Sequence, residues 1–460
     1  MTLDFETLAK EYYDAAKAFL KELIAVPSVY DNSTVSEEHP YGISVSSALK
    51  LINEKAATLG LKTALFKNRV VEIRSGAKTD NLITVAAHVD VVPATKGWTF
   101  DPFTLTEKHD FFYGRGITDD KGPLVAALFA LKLLQDHHLV NDYLVNLVIG
   151  GDEERGSSCL KYYYHELQKP YPKYGFTPDA DFPLIYAEKG AIGFKLNLKT
   201  KRTPIAKIHG GQASNMVIDE CHLEYKKPMG DYYDITYLKE RKLKFTYEHN
   251  HIKIIGKPAH AMEPDKGINA GLYALELLAL YDKKVAILVE LVKDLNGRGL
   301  NLYRFGPHLK ASTLALCLLK YEKNQLELWF DYRYPEGMSL SQFHNCINIA
   351  LTKIKPKITV FKTHELLFFD LNSKLVTTLN QVYQTTFKDQ SRTPLTSGGG
   401  TYAKESKNMV AFGPMFEDED DHIHGNDERM KVTKFYQLIS VYAKAIYELG
   451  QLDASQIQSE

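Results

Sequence analysis

The sequence predicts an α/β protein of two domains, in which a mostly parallel sheet covered by helices is interrupted by an inserted α+β domain. Three observations carry this expectation. The chain has 460 residues, 44% of them hydrophobic, which exceeds the length at which a single core keeps growing. Two apolar runs of strand length, 81–92 (NLITVAAHVDVV) and 143–150 (YLVNLVIG), flank a helical stretch from about 123 to 137. Near-continuous apolar strands separated by a helix are what a buried parallel sheet requires. From about 190 to 380 the strands turn shorter and more mixed, and beyond that the first pattern returns.

Taken in order, Phe5, Leu8, Ala9, Tyr12, Ala16, Phe19, Leu20 and Leu23 recur at spacings of three and four. They predict an amphipathic helix that Pro27 stops. A second helix is expected over about 42–59, ending near Gly60. In the middle, AIGFKLNLKT (191–200), KLKFTYEHNHIKIIG (242–256) and QLELWFDYRYP (325–335) read as strands, separated by helical segments such as INAGLYALELLALYDKK (268–284). Near the end, NMVAFGP (408–414) is a strand candidate and MKVTKFYQLISVYAKAIYELG (430–450) a long amphipathic helix. One α/β domain is therefore expected in two pieces, 1–188 and 382–460, with the inserted domain at 189–381.

Charge narrows the function. Lys plus Arg number 56 and Asp plus Glu 57, a net charge of −1, so no broad positive field exists for a nucleic acid or an anionic membrane. Neither is expected as a partner. The four cysteines, Cys159, Cys221, Cys317 and Cys346, are scattered without a close pair, which fits a reducing compartment. The first thirty residues carry acids from residue 4 onward and contain neither the apolar segment of a signal peptide nor a membrane span. A soluble cytoplasmic protein is the expectation.

Chemistry concentrates at the ends of the apolar strands. His88 and Asp90 lie two apart at the end of the first, so their side chains leave the same face, and the carboxyl edge of an open α/β sheet is where such folds place their sites. A buried unpaired Asp90 would be costly. His88 as a metal ligand, with the Asp90 carboxylate fixing its imidazole, resolves that cost. GRGITDDKGP (114–123) suggests a tight turn presenting Asp119 or Asp120 inward. IGGDEERGS (149–157) puts three acids in a row directly after the second apolar strand, where they repel one another unless cations intervene. PDADFP (178–183) and DHIHGNDE (421–428) add enough carboxylate and imidazole for two metals. Mixed histidine and carboxylate ligation around a hydrolytic site points to zinc.

Together, AAHVDVVP, YGRGITDDKGP, GDEERGS, PDADFPLIYAEKG, GGQASNMV, GKPAHAMEPDKGINA, FDYRYPEG, SGGGTYA and a final H-x-x-D-E resemble the zinc-dependent metallopeptidase family of aminoacylases, desuccinylases, glutamate carboxypeptidases and carnosinases. Within it the match is closest to bacterial PepV-type dipeptidases. The motifs run from residue 86 to 428 in the family's order. The resemblance implies a zinc-peptidase-like catalytic domain with two Zn²⁺ per chain. His88 and Asp179 would hold one zinc, Glu154 and His424 the other, with Asp119 bridging both. It selects Asp119 over Asp120 as the acid two residues before the lysine, Asp179 over Asp181, and His424 over His422. Glu153 would be the general base, with Asp90 beside the metals.

The insertion adds Asn215, His260 and Arg333. By themselves they read as ordinary surface or structural residues. The resemblance implies instead that Asn215 and His260 lie near the scissile carbonyl, with His260 stabilising the negative charge that develops there, and that Arg333 lies near a substrate oxygen or the terminal carboxylate. Gly399 and Gly400 would offer backbone donors to the same carboxylate. The implied activity is hydrolysis of dipeptides with a free amino end by a metal-bridging hydroxide. The alternative is a related amidohydrolase acting on N-acyl amino acids. Other members of the family have a lid of about half this size that dimerises and lends its histidine to the neighbour. The long insert resembles a PepV-type lid that replaces the partner, which implies a monomer.

Overall fold

The computed structural model describes residues 3–77, 80–227, 233–416 and 418–452. The chain forms two compact units: residues 1–186, 368–395 and 401–460 make the first, and 187–367 with 396–400 the second. The expected junction at 381/382 falls inside the helix Lys374–Phe387, whose Leu375, Val376, Leu379, Val382 and Tyr383 are buried. That helix packs on Val432–Gln451, so the return to the first unit comes earlier than the sequence pattern suggested. The glycine run at 398–400, expected in the catalytic piece, belongs to the second unit.

In the first unit the strands Lys62–Phe66, Val70–Gly76, Leu144–Gly150, Leu82–His88, Tyr174–Thr177 and Met409–Ala411 lie side by side in that order. The sheet is mixed rather than mostly parallel. The last four of these strands run parallel, whereas the hairpin 62–76 joins antiparallel on one side and Ile185–Glu188 antiparallel on the other. The parallel strands are the apolar runs: every residue of Leu82–His88 is buried. The helix Lys121–Asp136 packs against Leu82–His88, Leu144–Gly150 and the helices Tyr13–Ile24 and Val432–Gln451. It is buried on nearly every side, consistent with its uninterrupted PLVAALFAL. The first predicted helix is broken by a single tight turn at Lys10–Tyr12, and the second spans Ile43–Thr58.

The second unit is built on an eight-stranded sheet, ordered Lys244–Glu248, His251–Ile255, Glu220–Tyr225, Ile205–Gly210, Thr313–Glu322, Gln325–Tyr334, Gly190–Lys199 and Lys357–His364. Every neighbouring pair is antiparallel. The helices Ala270–Ala279, Lys283–Val292 and Leu340–Ala350 share one apolar core with the sheet. Alternating burial, as in Glu220–Tyr225, marks a sheet with one covered face.

Candidate metal centre

Three parallel strands of the first unit end together, at His88, Gly150 and Thr177. His88 closes the first, Glu153 and Glu154 follow the second, and Asp179 follows the third, so the carboxyl edge of the sheet gathers the expected ligands as open α/β sheets do. Asp119 and His424 arrive on loops.

Two groups of donor atoms result, His88 with Asp119 and Asp179, and Asp119 with Glu154 and His424. Asp119 belongs to both. His88 Nε2 lies 2.9 Å from Asp119 Oδ1 and 3.6 Å from Asp179 Oδ2. His424 Nε2 lies 2.8 Å from Asp119 Oδ2 and 3.3 Å from Glu154 Oε1. Two donors bound at about 2.0–2.1 Å to one tetrahedral ion stand roughly 3.3 Å apart, so the spacings fit a zinc in each group. Among the described residues, buried His88 Nε2 and Glu154 Oε1 meet only these ion-pair contacts and no well-aligned hydrogen bond, as metal-facing atoms should. The donor set is nitrogen and oxygen without thiolate, which suits zinc at a hydrolytic site.

Electrostatics agrees. Burial pushes the His88 imidazolium down, but Asp119, Asp179 and Asp90 outweigh it and hold the group well above its usual range. His424, opposed by burial and supported by Asp119 and Glu154, rises to about 11. Burial and the Asp119 charge raise Glu154 to about 7 and Asp179 to about 6. Acids this crowded need positive charge, and divalent cations would supply it. Glu153 is in neither donor group; burial first, then Asp179, Glu154 and Asp119, holds its carboxyl well above the ordinary value.

Asp90 does more than stand beside the imidazole. Its backbone oxygen pairs with His88 Nδ1 at 2.9 Å, while its carboxylate stands 3.5 Å from that nitrogen. The carboxylate also accepts the backbone N–H groups of Glu153 and Glu154, 3.1 Å each. Asp152 closes their turn from behind, accepting the Ser158 N–H at 3.1 Å and its hydroxyl at 2.5 Å. Glu153 and Glu154 are held through their backbone N–H groups by Asp90.

Two further residues, Tyr402 and Glu428, are not singled out by the sequence, and Asp120, the other acid of the 114–123 turn, has a role outside both donor groups. Asp120 accepts the His88 N–H at 3.0 Å, and the Asp119–Asp120 peptide is cis. The ring of Tyr402, fully buried, stands edge-on to His88 at 5.9 Å between centroids. Glu428, also fully buried, accepts four donors from residues 115–119. Their only signal was an aromatic or a charge inside a glycine-rich motif.

The second unit gathers the remaining candidates. His260 bridges Met216 in the backbone, and Asn215 Nδ2 lies 3.5 Å from His260 Nε2. Thr313, opposite Arg333 in the sheet, donates to Ala261 O at 3.1 Å. Arg333 binds Asp331 through Nε at 2.6 Å and Nη2 at 3.0 Å, which leaves Nη1 to reach Gly398 O at 3.4 Å. The N–H of Gly399 is donated to Ser397 Oγ at 2.9 Å. That occupies a donor the sequence reading had assigned to a substrate carboxylate. Gly400 is exposed at the end of the same run.

A model of peptidase family M20/M25/M40 matches residues 84–448. The chain belongs to this family. It is a metallopeptidase, with two metal positions that share Asp119. It is 31% identical over 456 residues to a Bacillus subtilis protein named "Putative dipeptidase YtjP", covering 94% of this chain and 96% of the other. It is 32% identical over 458 residues to the Staphylococcus haemolyticus "Putative dipeptidase SH1171", with the same coverages. The fold resembles that of an M20 family metallo-carboxypeptidase from Sulfolobus solfataricus, with a TM-score of 0.62, 18% identity, and coverage of 95% of this chain and 99% of the other. Among the described residues no helix is long and apolar enough to cross a membrane.

Proposed function

We propose that this chain is a dizinc dipeptidase of the PepV type, acting as a cytoplasmic monomer on dipeptides with a free amino end. The observation that carries the reading is the pair of donor groups sharing Asp119, with Glu153 beside them and outside both. The relatives named as dipeptidases, matched over nearly their whole length, supply the substrate class. The long insert supports the PepV assignment.

Bound zinc would polarise the scissile carbonyl and make water acidic near neutral pH. The chain's own residues do the rest. Glu153, fixed through its backbone by Asp90, takes the proton from the attacking water and delivers it to the departing amine. His260, with Asn215 beside it, meets the negative charge growing on the carbonyl oxygen. Arg333, oriented by Asp331, directs Nη1 at the substrate carboxylate.

The test is turnover of free dipeptides against their N-acylated forms, with zinc per chain measured on the same preparation. A dipeptidase turns over the free forms and rejects the blocked ones. Preference for the blocked forms would make the chain a deacylase of the same family.

A further inference from the structure

The four donors on Glu428 and the course of the chain around it point to a role beyond folding. The strands Phe111–Tyr113 and Arg429–Lys431 pair antiparallel, with Arg429 opposite Tyr113, and Gly114 N–H continues the ladder to Glu428 O at 3.1 Å. From the same end of this ladder the chain runs on one side into the loop that carries Asp119 and on the other into the loop that carries His424. Glu428 fills the gap between them. Its Oε2 accepts from Arg115 Nη1 at 2.7 Å and Gly116 N–H at 3.0 Å. Its Oε1 accepts from Thr118 N–H at 2.9 Å and Asp119 N–H at 3.2 Å. Arg115 in turn gives Nη2 to Gly425 O at 2.8 Å, the residue next to His424. Gly116 sits at φ +89°, where a Cβ would come within 2.9 Å of Val91, so the loop can close round the carboxylate only with glycine there.

We propose that Glu428, paired with Arg115, is the positioning residue of the shared metal position: one buried carboxylate holds the main chain beneath Asp119, and its arginine holds the turn beneath His424. The proposal rests on the dizinc reading above and adds to it a device that sets the distance between two ligands from distant parts of the sequence. A carboxylate has about four acceptor sites, and all are used. A glutamine keeps the shape but puts an N–H₂ where two N–H donors already point, so one half of the cradle must open.

The experiment is zinc affinity of the full chain by chelator competition, at a temperature where circular dichroism shows each variant folded. Glu428→Gln is expected to weaken binding by about 10- to 100-fold, the usual effect of losing a residue that orients a ligand. In an Asp119→Ala background the same change should cost much less than it does in the parent, because the ligand that the carboxylate itself positions is already gone and only the arm through Arg115 to the His424 turn remains. A merely structural role would not produce that coupling. Arg115→Lys, which cannot hold Glu428 and Gly425 together, is expected to weaken zinc binding likewise and serves if Glu428→Gln does not fold. Wild-type affinity in the folded variants, while Asp119→Ala alone loses zinc, would overturn the positioning role and leave the dizinc reading standing. Unchanged zinc affinity in Asp119→Ala itself would overturn both.

Discussion

His424 Nε2 lies 2.8 Å from Asp119 Oδ2, across 305 residues of sequence. A cation held between these two side chains joins the last loop of the first unit to a loop near its beginning, so metal binding and folding are linked. Chelation is expected to lower the unfolding temperature and added zinc to restore it. Zinc at a hundred times its dissociation constant contributes about 2.7 kcal/mol per site, or roughly 5 to 10 °C for a unit of this size. Calorimetry at fixed zinc concentrations measures it. A melting temperature indifferent to zinc would remove the metal centre from the account.

Glu153→Gln separates binding from chemistry. The backbone N–H of residue 153 still reaches Asp90, and neither donor group loses an atom. The variant should keep both zincs and near-native KM while kcat falls by at least about 10³. Unchanged turnover would show that another group moves the proton.

The ligands themselves divide by position. His88→Ala or Asp179→Ala removes a donor from one group only and should release one zinc per chain under mild chelation, with the second retained. Elemental analysis after dialysis decides, and two zincs retained in both variants would contradict the assignment.

Much of this site was legible in the sequence because its ligands sit where apolar strands stop. His88 closes one strand whose composition gives it away, and the acids at 152–154 follow another. Asp119, Asp179, His424 and the choice of Glu154 were legible only through resemblance: turns with adjacent acids and a segment with two histidines do not reveal which side chain faces inward. The Asp90 carboxylate stands beside His88 as its spacing suggests, but two-residue spacing specifies a face and not that the Asp90 backbone oxygen also takes the Nδ1 bond. The hairpin 62–76 was missed because Lys62–Phe66 is only partly buried, so its pattern lacks the apolar run that marks the central strands. Glu428 was quoted only as the end of a motif, since nothing local shows that a loop 310 residues away donates to it.

Arg333 is expected to read a carboxylate with the edge that Asp331 leaves open. Arg333→Ala should cost a dipeptide roughly 2 to 4 kcal/mol in kcat/KM if the pair is buried, and its C-terminal amide much less. Comparing both substrates on both proteins measures the difference. A variant that discriminates as strongly as the parent would show that Arg333 does not bind the carboxylate. Asp331→Asn should weaken the same discrimination in part, because the guanidinium loses a charged partner at 2.6 Å.

Whether the chain completes its own site can be tested through His260. If His260 serves the metals of its own chain, the protein runs near 52.1 kDa and is active as a monomer. If it serves a neighbour, a chain lacking His260 and a chain lacking Glu153 can together form one intact site. His260→Ala and Glu153→Ala are purified separately, each is confirmed nearly inactive, and the two are unfolded and refolded as an equal mixture. Random pairing in a dimer makes half the molecules mixed, each with one complete site of two, so about a quarter of wild-type activity would return. The monomer reading expects none, because neither chain owns a full set. The His260→Ala chain should still bind two zincs, since its substitution leaves both donor groups untouched, and that control distinguishes a failed refolding from a true lack of complementation.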